Sequence, residues 1–238
     1  MPATCSAPHA SRPARPAHLA VLVASDQPLV ADAVHTALIS QGLEATATPV
    51  TRGPIPAAQT ARLQRVGATV LLVISDLTRP SRLEGARSMI DDLKLPTVVL
   101  AGAEGDVEWG AVLESGATVV LPESATLDEV VRALRGAVRG APLVAQARRQ
   151  ELIDEWRRIV QERFELASRL ASLSPREREV LRMLYLGESV QEIAERTGVA
   201  VATVRSHVRS VLRKLGVSSQ LSAVAVYAQL GLLGGDGG

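Results

Sequence analysis

Arg205, Arg209 and Arg213 recur at intervals of four residues, with Lys214 next to the last of them, inside a run from Arg196 to Gly235 that contains no Asp or Glu. In a helix that interval keeps side chains close to one face. A guanidinium can donate two parallel hydrogen bonds to O6 and N7 of guanine, so Arg205 and Arg209, with Ser206 beside them, have the chemistry to read base edges in a major groove. Arg213 and Lys214, nearer the end of such a helix, suit phosphates, which position a protein on DNA without reporting sequence. Thr203, and Ser189 and Gln191 at the start of the preceding helix, suit phosphates too. The bland alternative for the same residues is a solvated basic face on an ordinary amphipathic bundle. Over 238 residues the formal net charge is only +1, from 26 Lys and Arg against 25 Asp and Glu, so the positive field is local. There is no grouping of nucleophile, base and orienting residue, no metal-ligand cluster and no glycine-rich phosphate loop, which points away from an enzyme and implies neither cofactor nor metal.

Those cations need a scaffold, and its punctuation is legible. Ser174-Pro175-Arg176-Glu177 combines a Ser cap, a Pro at the first helical position and a Glu able to reach back to the cap amide. Val180, Leu181 and Leu184 follow at helical spacing, and Gly187 ends that helix. A second capping box, Ser189 to Glu192, opens a helix that turns Ile193 and Ala194 inward before Gly198. The third helix, 201–215, carries Val204, Val208, Val211, Leu212 and Leu215 on one face and the arginines on the other, and Gly216 stops it. A fourth runs over about 219–230. Two helices across a tight turn, the second long and basic, predict a helix-turn-helix.

The string Leu173-Ser174-Pro175-Arg176-Glu177-Arg178-Glu179-Val180-Leu181, then Gln191-Glu192-Ile193-Ala194, Thr203-Val204-Arg205-Ser206-His207-Val208-Arg209 and Lys214-Leu215-Gly216-Val217, resembles the DNA-binding domain of LuxR/NarL-type bacterial regulators. The resemblance implies sequence-specific binding of double-stranded DNA, base reading from Arg205 and Arg209, and a homodimer on paired half-sites. Ala200 departs from the family, which usually has a Ser or Thr cap there, and losing a cap costs about 1 kcal/mol of helix stability.

The chain before this segment alternates strand and helix patterns from Leu19 to Val138, as a parallel sheet covered on both faces requires. Five βα units fit the flavodoxin-like order, with a crevice at the carboxyl ends of the strands. This region resembles a phosphorylatable receiver. Such a domain uses paired acids to hold Mg²⁺, an acceptor Asp, a hydroxyl and a Lys, which offset charge developing on the transferred phosphoryl group. On that resemblance Asp76 matches the acceptor and Asp26 the second metal acid, while Ser25 replaces the first acid. The hydroxyl position falls on Ala101, and the Lys position on Leu121 or Glu123 according to how Pro122 is aligned. Asp26 and Asp76 also have structural readings, as a helix cap and a turn residue. A degenerate receiver not controlled by phosphorylation is expected. A conventional phosphorylated regulator and a sensor of a small ligand or protein partner remain as alternatives.

The expected organisation is a disordered Ala- and Pro-rich tail over 1–18, a receiver-like domain over 19–140, a helical linker over 141–172 and the helix-turn-helix domain over 173–234. The linker pattern over 151–173 repeats Ile153, Trp156, Val160, Ala167 and Leu170 at three- and four-residue steps, with Phe164 nearby, and suits either a dimerising seam or packing on the protein's own domains. Trp156, the last helix through Val224, Tyr227 and Leu230, and the receiver helix bearing Trp109 are the candidate dimer contacts. No apolar run approaches the ~20 residues of a membrane span. The single cysteine, Cys5, lies in the tail, so no disulfide framework forms within one chain, and a reducing cytoplasm is the expected setting. RNA polymerase is a further partner consistent with such a regulator.

Overall fold

The computed structural model describes residues 19–51, 53–102 and 105–233, with side chains to residue 228. The expected tail, with Cys5, lies outside the described residues. Five strands form one parallel sheet in the order β2-β1-β3-β4-β5: β1 Ala20–Ser25, β2 Glu44–Pro49, β3 Val70–Ile74, β4 Thr97–Leu100 and β5 Val119–Leu121. β3 and β4 are short, nearly uninterrupted apolar runs because helices cover both their faces. β2 is mostly exposed, as an edge strand with alternating small and polar residues can be. Five helices alternate with the strands: α1 Pro28–Ser40, α2 Ala57–Gln64, α3 Pro80–Leu93, α4 Glu108–Glu114 and α5 Leu127–Val138.

The pleat divides the core in two. Leu22, Leu71 and Val99 face α2, α3 and α4, through residues such as Leu63, Met89 and Val112. Val21, Leu72 and Val98 face α1 and α5, through Leu38, Val130 and Leu134. Parallel register pairs Ser25 with Ile74, so Asp26 and Asp76, just beyond, emerge at the same end of the sheet.

α6, Gln146–Ala171, begins five residues before the predicted start at Glu151. The extra turn is tied down: Arg149 donates from Nη1 to the Ala117 carbonyl at 2.7 Å and from Nη2 to the Leu113 carbonyl at 2.6 Å. Leu152, Ile153 and Trp156 are buried against α4. Trp109 is buried too, and its Nε1 donates to the Ala101 carbonyl at 2.9 Å. The expectation that Trp156 itself offers a dimer contact is therefore corrected, since its indole, like that of Trp109 on the receiver helix, belongs to the first domain's core. The linker stripe also divides. Its first residues serve the sheet domain and Leu170 packs in the last domain, while Val160 and Phe164 between them stay exposed.

That last domain contains α7 Pro175–Tyr185, α8 Val190–Thr197, α9 Val201–Leu215 and α10 Gln220–Leu233. α6 and α4 meet so closely that a Cβ on Gly110 would stand 2.1 Å from the Leu152 carbonyl oxygen and 2.6 Å from the Trp156 Cβ. Gly110→Ala is expected to destabilise the first domain by about 1–3 kcal/mol. It should also shift the Trp fluorescence as Trp156 loses its seat, and urea titration followed by emission checks both effects.

Candidate nucleic-acid interface

α9 is the exposed element on which the cations lie. Its apolar face is buried through Val204, Val208, Val211 and Leu215, and the opposite face presents Thr203, Arg205, Ser206, Arg209 and Arg213 to solvent. α8 crosses it after a turn made possible by Gly198, whose φ is 67°, in the left-handed region that glycine tolerates. Val180 and Met183 of α7, Ile193 and Ala194 of α8, and Val204 and Val208 of α9 form the small core that sets this crossing. Capping boxes are complete at Ser174 with Glu177 and at Ser189 with Glu192. Ser189 therefore accepts from the Glu192 amide and keeps only its hydroxyl hydrogen to donate outward, while Gln191 is exposed beside it.

Ala200 is the N-cap of α9, with extended φ and ψ of −64° and 144° and no side-chain hydrogen bond. The first turn of α9 thus leaves its amides unanswered by a cap. Ala200→Thr is expected to raise stability by about 1 kcal/mol, and thermal or urea unfolding measures it.

Lys214, expected to meet phosphate, is already paired with a carboxylate in the structure. Its Nζ lies 2.6 Å from Glu177 Oε2 and donates to the Ser172 carbonyl at 3.2 Å. Glu177 is buried, and its carboxylate also accepts from the Ser210 hydroxyl at 2.6 Å and from the Ser174 amide at 2.7 Å. One carboxylate thus ties the start of α7 to two points on α9. Lys214 thereby helps to hold the helix, while Arg213 beside it is exposed. Sequence reasoning missed Ser210 and the second role of Glu177, because the capping box already accounted for that Glu.

The Lys214 ammonium, then the Ser210 hydroxyl, lower the Glu177 pKa from 4.5 to about 2. A carboxylate depressed on folding adds stability that is present above pH 4.5 and is lost as pH falls through that value toward 2. Acid should therefore weaken the wild-type domain in that window, and Glu177→Gln should flatten the dependence. Lys214→Ala is expected to cost about 1–3 kcal/mol by leaving a buried acceptor short of its cation. Urea unfolding at several pH values tests all three.

On α10, Val224 and Tyr227 are half-buried, and the Tyr227 ring lies against Tyr185 with centroids 5.3 Å apart. The Leu230 side chain lies outside the described residues. Tyr185, Leu186 and Leu221 are exposed around this end.

At the sheet's carboxyl edge Asp76 is half-buried. Its Oδ1 accepts from the Thr78 hydroxyl at 2.6 Å and the Thr78 amide at 3.1 Å, which makes it the turn residue that one reading proposed. Thr78, with help from Arg82 and Arg79, lowers its pKa. Asp26 does not cap α1, whose N-cap is Gln27 without a side-chain bond. Instead Arg82 Nη1 lies 2.6 Å from Asp26 Oδ2. Ser25 is buried, with its hydroxyl accepting from the Gln27 amide at 3.1 Å. Ala101 brings no hydroxyl, and Glu123 is exposed. Arg82 escaped notice in the sequence; the available signal was a basic residue one turn after Arg79, at the start of a helix leaving the strand end.

Among the described residues no three His, Cys, Asp or Glu side chains could hold a metal, and no helix is long and apolar enough to cross a membrane. Residues 171–227 match the family described as bacterial regulatory proteins, luxR family. A probable transcriptional regulatory protein NarL of Mycobacterium tuberculosis is 32% identical over 217 residues, covering 89% of this chain and 94% of that protein. The transcriptional regulatory protein LnrK of Bacillus subtilis is 27% identical over 164 residues, covering 66% and 74%. The Salmonella typhimurium response regulator RcsB has a solved structure with 19% identity and a TM-score of 0.44, covering 89% of this chain and 98% of that one.

Proposed function

This chain belongs to the LuxR/NarL-type bacterial response regulators, and we propose that within that family its receiver-like domain works without phosphorylation. The protein is a DNA-binding transcriptional regulator and not an enzyme. The observation that carries the specific reading is the outward face of α9, where Arg205, Ser206 and Arg209 stand over a buried apolar face. On this reading those three read base edges, while Thr203, Arg213, Ser189 and Gln191 hold phosphates. The functional units are residues 19–140, the helical linker 141–172 and the DNA-binding domain 173–234. A small helix-turn-helix buries too little surface to be selective alone, which supports a homodimer on two half-sites about one helical turn apart. With the indoles buried, α10 through Val224, Tyr227 and Leu230 is the surface assigned to it. Contact with RNA polymerase and a cytoplasmic setting belong to the same reading.

Phosphorylation independence is supported by Ser25, Ala101 and Leu121 or Glu123 at three positions where the chemistry needs an acid, a hydroxyl and a Lys. A sensor of a small ligand is the second reading, favoured by a cleft of about 490 Å³ lined by Val30, Val34, Ile74, Leu100, Leu127 and Glu123 among others.

Arg205→Ala or Arg209→Ala is expected to weaken operator binding and narrow the gap between operator and scrambled duplex, with about 1–3 kcal/mol of discrimination lost per good pair. Arg213→Ala should weaken both duplexes alike and reduce the salt slope by about one unit. Titrations at several salt concentrations check this, and an unchanged specificity ratio in both Arg205→Ala and Arg209→Ala would overturn the base-reading roles. Incubation with Mg²⁺ and a small phosphodonor should leave Asp76 unmodified by mass, and Asp76→Ala should leave DNA affinity nearly unchanged. Stoichiometric modification with much tighter DNA binding would refute phosphorylation independence.

A further inference from the structure

One nitrogen of Arg82 stands between the two surviving acids. Its Nη1 is 2.6 Å from Asp26 Oδ2 and 3.6 Å from Asp76 Oδ2. Arg79 adds a second, more exposed cation, its Nε 3.4 Å from Asp76 Oδ2. The Asp26 side chain is only 10% exposed and that of Arg82 only 21%, so water screens their pair weakly. Two carboxylates brought together by the β1–β3 register would repel unless a cation sat with them. Both carboxylate oxygens of Asp26 are fully buried and neither accepts a hydrogen bond, so the approach of Arg82 to Oδ2 is a contact between charges. The neighbouring Ser75 hydroxyl, also buried, is likewise without a hydrogen-bond partner.

A receiver of this family places Mg²⁺ against such acids, and the residues here do not fit it. Mg²⁺ demands about six oxygen ligands at roughly 2.0–2.1 Å in a near-octahedral shell. This crevice offers two carboxylates, with Ser25 where a third would stand, and two carboxylates can hold Mg²⁺ when water completes its shell, so what excludes the ion here is the cation already present. The guanidinium occupies the space between the carboxylates, and its charge repels a second cation there. Arg82 is also anchored, since it rides on α3, whose Leu83, Ala86 and Met89 are buried against the sheet.

We infer that Arg82 is a built-in counter-cation that takes the place of the divalent ion between Asp26 and Asp76, so that removing its charge uncovers a divalent-cation site. The inference rests on the phosphorylation-independent reading and deepens it. The domain carries its own permanent cation and holds one arrangement of β1, β3 and α3 whatever the Mg²⁺ concentration. Arg82 is a positioning residue here, because it acts on the two acids and on the helix that bears it.

The test uses the full chain and Mn²⁺, whose free ion is counted by electron paramagnetic resonance, with Mg²⁺-dependent melting as a second readout. Wild type is expected to bind no Mn²⁺ at this site and to melt at the same temperature with and without Mg²⁺. Arg82→Ala should melt lower, bind one Mn²⁺ per chain and recover stability on adding Mg²⁺. Arg82→Ala with Asp26→Asn should lose that ion and that recovery. Arg82→Lys, which keeps a cation, should stay insensitive to Mg²⁺. If Arg82→Ala is unfolded without metal, the inference requires Mg²⁺ to restore its circular dichroism. Mn²⁺ binding by wild type that Asp26→Asn removes would overturn the inference, as would an Arg82→Ala protein that neither binds Mn²⁺ nor gains stability from Mg²⁺. Phosphodonor labelling of Asp76 is scored separately, so failure of the phosphorylation-independent reading is distinguished from failure of the Arg82 assignment.

Discussion

The arrangement of the described chain depends on one helix that satisfies two cores at once. α6 gives Leu152, Ile153 and Trp156 to the sheet domain and Leu170 to the DNA-binding domain. Its 26 residues make a rod of about 39 Å at 1.5 Å per residue. Hydrogen bonds hold it at both ends, from Arg149 to carbonyls around the end of α4 and from Arg169 to the Leu215 carbonyl at the end of α9. α6 thus runs as one unbroken helix from its contacts with α4 to its contact with the end of α9. Gly110 is the position that lets this rod sit so close, since any side chain there would meet the α6 backbone.

Two partly buried ion pairs then decide what the charges are free to do. Glu177 binds Lys214 and thereby fixes α9, which engages one of the cations that helix carries. Arg82 binds Asp26 and approaches Asp76, and so takes two acids out of reach of solvent metal. In each case removing the cation strands a carboxylate that water hardly reaches, which is why such pairs resist piecemeal change. By contrast Arg205 and Arg213 are exposed and have no carboxylate beside them on α9. Those are the electrostatic conditions for meeting a polyanion.

The two domains make different demands on a reader of sequence. The helix-turn-helix announces itself through caps, glycines and a period of 3.6, all local features set by neighbours within a turn or two. The match of residues 171–227 to the luxR family lies over that same stretch. The sheet domain announces its class by alternation, but its chemistry is assembled from residues 50 positions apart, Asp26 and Asp76, and from a third that no motif marks.

The sequence alone determined the five βα units and their doubly wound class, the helices α7 to α9 nearly to the residue, the missing cap at Ala200 and the exposed basic face of α9. Helical and strand periods, capping boxes and left-handed glycines are short-range physics, and they survive folding unchanged. Only the tertiary structure decided that Trp156 and Trp109 are core, that Lys214 belongs to Glu177, and that Arg82 stands between Asp26 and Asp76. A pattern shows which face of a helix is apolar or charged, and the partner that covers that face is chosen by chain segments far away. Burial of an indole or pairing of a cation is a property of that choice, so it becomes legible only when the segments are brought together.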